Sequence, residues 1–158
     1  MKICLSITAV AAALCSHSAA MAGSLDVGGY WWTPDRASVV EITDCGDGTP
    51  CGVVRYVDRR AGGMTQDRHN ADGALQGRSM LGIVLLDGFD KGDEAWQGGR
   101  IYNPKDGRFY RARIELLSKD ELAVSGCLGP ICKKLLWTRA SDLPLARQGE
   151  GSEDQASL

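Results

Sequence analysis

From Tyr30 onward apolar and polar residues alternate with a period of two, and turn-forming residues interrupt the alternation at short intervals. Two aromatic landmarks bracket this region, Gly29-Tyr30-Trp31 at its start and Trp137-Thr138-Arg139 at its end. Many short strands joined by tight turns are best accommodated as an antiparallel sheet that closes on itself, because closure leaves no unpaired edge. An Arg on the last strand of such a barrel can cap a Trp on the first, so a contact between Trp31 and Arg139 is expected.

The strands are legible one by one. Val39, Glu41 and Thr43 alternate against Val40, Ile42 and Asp44, after a turn at Thr33-Pro34-Asp35. Residues 52–57 form a second such segment, and residues 81–86 are mostly apolar and expected to be a buried strand. Residues 96–102 come next, followed by a hairpin loop, Asn103-Pro104-Lys105-Asp106-Gly107, in which Pro104 presets φ and Gly107 suits the left-handed position. Residues 109–117 place Tyr110, Ala112, Ile114 and Leu116 on one face and Arg111, Arg113 and Glu115 on the other. With 30–33, 121–127 and 133–139 the count is about eight strands, an all-β, antiparallel up-and-down barrel. A barrel of that size is filled by its own side chains or holds one small ligand.

The first 22 residues read as a leader: Lys2, an apolar run over 3–14 too short for a bilayer, and small residues around Ala20-Met21-Ala22. Cleavage is expected before Gly23. Cys15 raises lipidation as an alternative, opposed by bulky Leu14 just before it. Of 158 residues about 136 then remain, enough for one domain, 23–142, and a polar tail, 143–158, expected to be disordered. Loss of Lys2 takes the 18 basic residues to 17 against 20 acidic ones, a modest negative charge without the basic block that nucleic acid requires. No later apolar run reaches membrane-spanning length. The expected compartment is the periplasm.

Four cysteines remain after processing, Cys45, Cys51, Cys127 and Cys132. An even number in an exported chain reads first as disulfides, and four allow three pairings. The segments 46–50 and 128–131 are turn-like; if each closes a hairpin, its flanking cysteines face one another, which favours Cys45–Cys51 and Cys127–Cys132. A four-cysteine zinc site is the competing reading, with spacings longer than usual.

Residues 58–78 break the strand pattern. They are polar and glycine-rich and carry His69, the one histidine beyond the leader; a connection that long is usually a binding or lid loop. Asp67, Asn70 and Arg78 are its candidate ligand contacts, set against a reading in which they only satisfy loop backbone. Arg111 and Arg113 would bind a carboxylate or phosphate if their face pointed inward. Asp87, Asp90, Asp93 and Glu94 lack the spacing of a calcium loop. No Gly-x-Ser-x-Gly elbow, His-Glu-x-x-His or phosphate loop is present.

Gly29-Tyr30-Trp31-Trp32-Thr33-Pro34-Asp35, Val40-Glu41-Ile42 and Cys45 to Cys51-Gly52 resemble the bacterial family termed domain of unknown function 2147. The likeness continues through Asp67 and Asn70, Arg78, Leu81-Gly82, Gly88-Phe89, Trp96 and Gly99-Arg100-Ile101-Tyr102-Asn103-Pro104. Gly107, Tyr110, Gly126-Cys127 and Trp137-Thr138-Arg139 complete it, so that it spans about 27–140. Ala71 stands where many members carry Pro, and Cys132 is not a general family feature. The resemblance implies a small exported protein of Gram-negative bacteria with a lipocalin-like barrel and no established activity, in which Trp31 and Arg139 close one end.

The function expected on these grounds is non-catalytic binding of a small apolar or amphipathic molecule, such as a lipid or fatty acid, with no cofactor and no metal. Its apolar part would meet Tyr110, Ile114 and Leu116, and its head group Asp67, Asn70 and Arg78. The alternative is a structural or protein-interaction module with a filled barrel, presenting Tyr30, Trp32 and Trp96 as exposed aromatics. Oligomeric state is left open.

Overall fold

A computed structural model describes residues 25–142; the expected leader, 1–22, and tail, 143–158, lie outside the described residues. The strands are β1 (Gly29–Trp32), β2 (Ser38–Asp44), β3 (Pro50–Val57), β4 (Val84–Asp87), β5 (Asp90–Lys91), β6 (Trp96–Asn103), β7 (Arg108–Ser118), β8 (Glu121–Leu128) and β9 (Ile131–Arg139). Each neighbour pairs antiparallel, in the order β4-β3-β2-β1-β9-β8-β7-β6, and β4 pairs with β6 to close the ring. The two residues of β5 add only to the start of β6. The result is a closed eight-stranded barrel.

Strand alternation assigns the two ends. The N-terminal segment and the turns at 45–49, 88–95 and 119–120 share one end; the turns at 33–37, 104–107 and 129–130 share the other with the connection 58–83. We refer to the second as the mouth. The interior is apolar and densely filled toward the first end, where Trp31, Val40, Ile42, Leu86, Ile114, Leu122 and Val124 are at most 1% exposed. Each large side chain so buried stabilises the fold by about 1.5–3 kcal/mol.

Two expectations need correction. The strand expected from residue 81 begins at Val84, because Met80 to Ile83 form a turn, with the Ile83 N–H donating to Met80 O at 3.2 Å and Gly82 at φ +85°. Trp32 and Trp96 are buried rather than displayed. Trp32 packs edge-on against Tyr56 and donates to Asp142, while the Trp96 indole N–H donates to Leu25 O at 2.8 Å. Both rings lie beneath chain that is remote in sequence, which local alternation cannot register.

Candidate functional site

The long connection is tied down by a buried polar cluster. Residues 66–67 and 78–79 pair with each other: Gln66 bridges Ser79, the Asp67 N–H donates to Arg78 O, and the Gly77 N–H donates to Asp67 O. This small ladder aims the Asp67 side chain, which is fully buried, at β6. Asp67 Oδ1 accepts from the Tyr102 hydroxyl at 2.5 Å, and Oδ2 accepts from Asn70 Nδ2 at 2.8 Å and Arg78 Nε at 3.1 Å. Asn70 Nδ2 also reaches the Tyr102 oxygen at 3.1 Å, and Asn70 Oδ1 accepts from the Asp72 N–H. Burial raises the Asp67 carboxyl, yet its hydrogen bonds to Tyr102, Asn70 and Arg78 hold it below its ordinary value. Burial and then the Asp67 carboxylate push the Tyr102 hydroxyl up to about 12.

The buried carboxylate, amide and hydroxyl of Asp67, Asn70 and Tyr102 all have partners, so the cluster can hold a strap in place, while the Arg78 guanidinium at its edge stays 38% exposed. Close backbone approach adds to the hold: a Cβ on Gly107 would fall 1.6 Å from His69 O, and Gly107 has φ +71°. The strap therefore rests against the β6–β7 turn. What it leaves open lies beside the cluster, a 290 Å³ cavity lined by Gly63, Met64, Thr65, Gln66, Arg68 and His69. The structure thus brings Asp67, Asn70 and Arg78 together and adds Tyr102, which sequence reasoning missed. Tyr102 falls on the opposite face from Ile101, and nothing local identifies a partner thirty-five residues away.

Tyr110, Ile114 and Leu116 are elsewhere. Ile114 is fully buried opposite Trp96, and half-buried Leu116 faces Leu122. Tyr110 is half-exposed near the mouth, its hydroxyl donating to Asp106 at 2.5 Å, and that hydrogen bond raises its pKa. The ladder between β8 and β9 continues this interior face toward the mouth. It sets Leu122, Val124, Gly126 and Leu128 opposite Trp137, Leu135, Lys133 and Ile131. A Cβ on Gly126 would touch Ile101 and Tyr110, which confirms the shared face. Exposure rises along this column, from Trp137 at 2% through half-buried Leu135 and exposed Lys133 to Ile131 at 76%. Among the described residues, Trp137 carries the one buried side-chain polar atom with no hydrogen-bond partner, its indole Nε1.

At the opposite end the Arg139 guanidinium lies 3.9 Å from the centre of the Trp31 ring. Arg111 and Arg113 are on the outer wall, where Lys91, Gln97 and Gly98 join them around a 490 Å³ open cavity. Cys45 and Cys51, and Cys127 and Cys132, are paired at disulfide distance. Among the described residues no three His, Cys, Asp or Glu side chains converge as a metal site, and no helix is long and apolar enough to cross a membrane.

Comparison with known proteins agrees with this geometry. Residues 29–139 match the family described as uncharacterized protein conserved in bacteria (DUF2147). A solved structure, protein HP1028 from the human pathogen Helicobacter pylori, described as belonging to the lipocalin family, superposes with a TM-score of 0.63. The two chains are 26% identical, over 75% of this chain and 86% of that one. No curated protein matches.

Proposed function

Since this chain belongs to the family of uncharacterized bacterial proteins DUF2147 and folds as a lipocalin-like barrel, we propose that it is an exported, non-catalytic binding protein of the bacterial envelope. Its ligand is one small apolar or amphipathic molecule, received through the mouth and held along the inner faces of β8 and β9. The observation that carries this reading is the Trp137 indole N–H, buried among apolar side chains with no acceptor. An unpaired buried donor costs about 1–3 kcal/mol, so its retention is understandable if a ligand oxygen completes it. The apolar chain of the ligand then runs from that oxygen along Leu135, Ile101 and Tyr110 toward the mouth. Support for export comes from the two cysteine pairs, which suit an oxidising compartment.

This differs from the expectation built on Asp67, Asn70 and Arg78, of which Asp67 and Asn70 are buried and bonded to one another and to Tyr102. In the proposed arrangement those residues hold the mouth loop, and Tyr110 remains a ligand contact while Ile114 and Leu116 form the floor.

The second reading, a structural module with a filled barrel, is favoured by the complete burial of Trp31, Leu86, Ile114 and Leu122. Native mass spectrometry of the protein isolated from its own compartment separates the two, followed by titration of the delipidated protein with a long-chain fatty acid. Binding should quench tryptophan fluorescence, and Trp137→Phe should weaken it about 3- to 10-fold, the worth of one hydrogen bond. An isolated protein with no adduct, together with no saturable titration by fatty acids or phospholipids, overturns the binding reading in favour of the structural one.

A further inference from the structure

The β8–β9 hairpin ends in Leu128-Gly129-Pro130-Ile131, and its two large side chains are the most exposed hydrophobic residues among those described, at 70% and 76%. Exposed apolar side chains are ordinary when scattered, but here two adjoin at the apex of one projecting turn. Three features suit this apex to an apolar medium. Pro130 removes one backbone donor, and Gly129, at φ +58°, lets the turn stay tight. The paired Cys127 and Cys132 brace the hairpin directly behind it, so little conformational freedom remains to be lost on contact.

The charge along this hairpin is one-sided. From Leu122 to Arg139 there is no acidic residue, and Lys133 and Lys134 follow the tip just after Cys132, whereas the whole chain has a net charge of −2. Arg111, opposite Cys127 on β7, adds a further cation, with Lys91, Arg113 and one carboxylate, Asp90, around the same outer cavity. We propose that this tip docks the protein on an anionic lipid bilayer, with Leu128 and Ile131 entering the acyl boundary and Lys133, Lys134 and Arg111 meeting lipid phosphates.

Other occupants fit less well. A second copy meeting tip to tip would bring two sets of lysines together, and like charges across an interface disfavour it. A protein partner needs about 800 Å² on each side, more than a four-residue apex offers. A bilayer accepts a small apolar wedge and rewards the flanking cations. Docked in this way, the mouth faces the membrane surface, but the inference holds whether or not the lumen carries a ligand.

Vesicle flotation of the mature protein tests it. The wild type should float with phosphatidylglycerol-rich vesicles and stay behind with phosphatidylcholine vesicles. At about 1 M salt, where the screening length is about 3 Å, binding should fall sharply. The pairs L128S/I131S and K133E/K134E should each reduce partitioning about tenfold or more, with circular dichroism and the disulfides unchanged as a control on folding. Wild-type protein left behind by anionic vesicles overturns the proposal, as does unchanged flotation of the folded serine variant. Sedimentation that reveals a wild-type dimer abolished by L128S/I131S also overturns it, and assigns the tip to a second copy.

Discussion

Arg139 stacks on Trp31 with 3.9 Å between the guanidinium carbon and the ring centre, and at the same time its nitrogens donate to Gly28 O and Lys119 O, each at 2.8 Å. Trp31 in turn donates from its indole to Val27 O at 2.9 Å. One side chain on the last strand thereby joins the first strand, the segment before it and the β7–β8 turn. Neighbouring Gly29 makes room for it, since a Cβ there would lie 2.6 Å from the guanidinium.

Arg139→Ala should lower unfolding stability by about 1–2 kcal/mol, through loss of the cation–π contact and stem packing. Arg139→Lys should recover part of that loss but not all, because an ammonium cannot span both carbonyls with a planar fork. Urea unfolding of the three proteins checks the order. Binding in the lumen should be unaffected, since the pair sits at the end away from the mouth.

Asp67→Asn should destabilise by about 1–3 kcal/mol, because it leaves Arg78 and the Tyr102 hydroxyl facing a neutral group. The carboxyl has a lowered pKa in the folded state, so its contribution is present above the unfolded value near 4 and is lost as pH falls through the folded value. Wild-type stability should therefore drop on acidification below about pH 4 more steeply than that of the Asn variant. Tyr102 has the opposite sign. Its contribution is present below about pH 10, its unfolded value, and lost as pH rises through about 12. Tyr102→Phe should remove that alkaline component, and thermal unfolding across pH reads both.

Gly107→Ala should disturb the strap without touching the barrel wall. The added Cβ meets His69 O at 1.6 Å and the residue must keep φ +71°, so the loop has to lift or the turn has to refold. Hydrogen exchange should show faster exchange at the Asp67, Gly77 and Met80 amides, whose partners lie in the strap or its return. Exchange unaltered there would mean that the contact carries no load.

Non-reducing peptide mapping should recover Cys45 linked to Cys51 and Cys127 linked to Cys132. Each closes a small loop, so replacing either pair with Ser should cost only about 2 kcal/mol on the chain-entropy model. Loss of folding altogether would contradict a barrel held chiefly by its apolar interior.

The barrel was readable because its information is local. Period-two alternation decides which side of a strand faces inward wherever one side is buried, and it correctly separated Tyr110, Ala112, Ile114 and Leu116 from Arg111, Arg113 and Glu115. The hairpin at Asn103 to Gly107 was equally legible, since Pro and Gly act on their own dihedral angles. Trp32 and Trp96 were misjudged because what covers them, Tyr56 and Asp142 in one case and Leu25 in the other, comes from distant chain.

Strand number, facing and the cysteine pairs follow from spacing and side-chain type, which act within a hairpin. Tertiary structure alone decided the rest: that Asp67 and Asn70 fold onto Tyr102 on the barrel wall, that Trp137 has no acceptor, and that Leu128 and Ile131 project uncovered. A polar residue in a loop and a polar residue in a buried network carry the same local signature. They are told apart only when closure of the barrel brings strand and loop together and excludes the water that would otherwise have satisfied them.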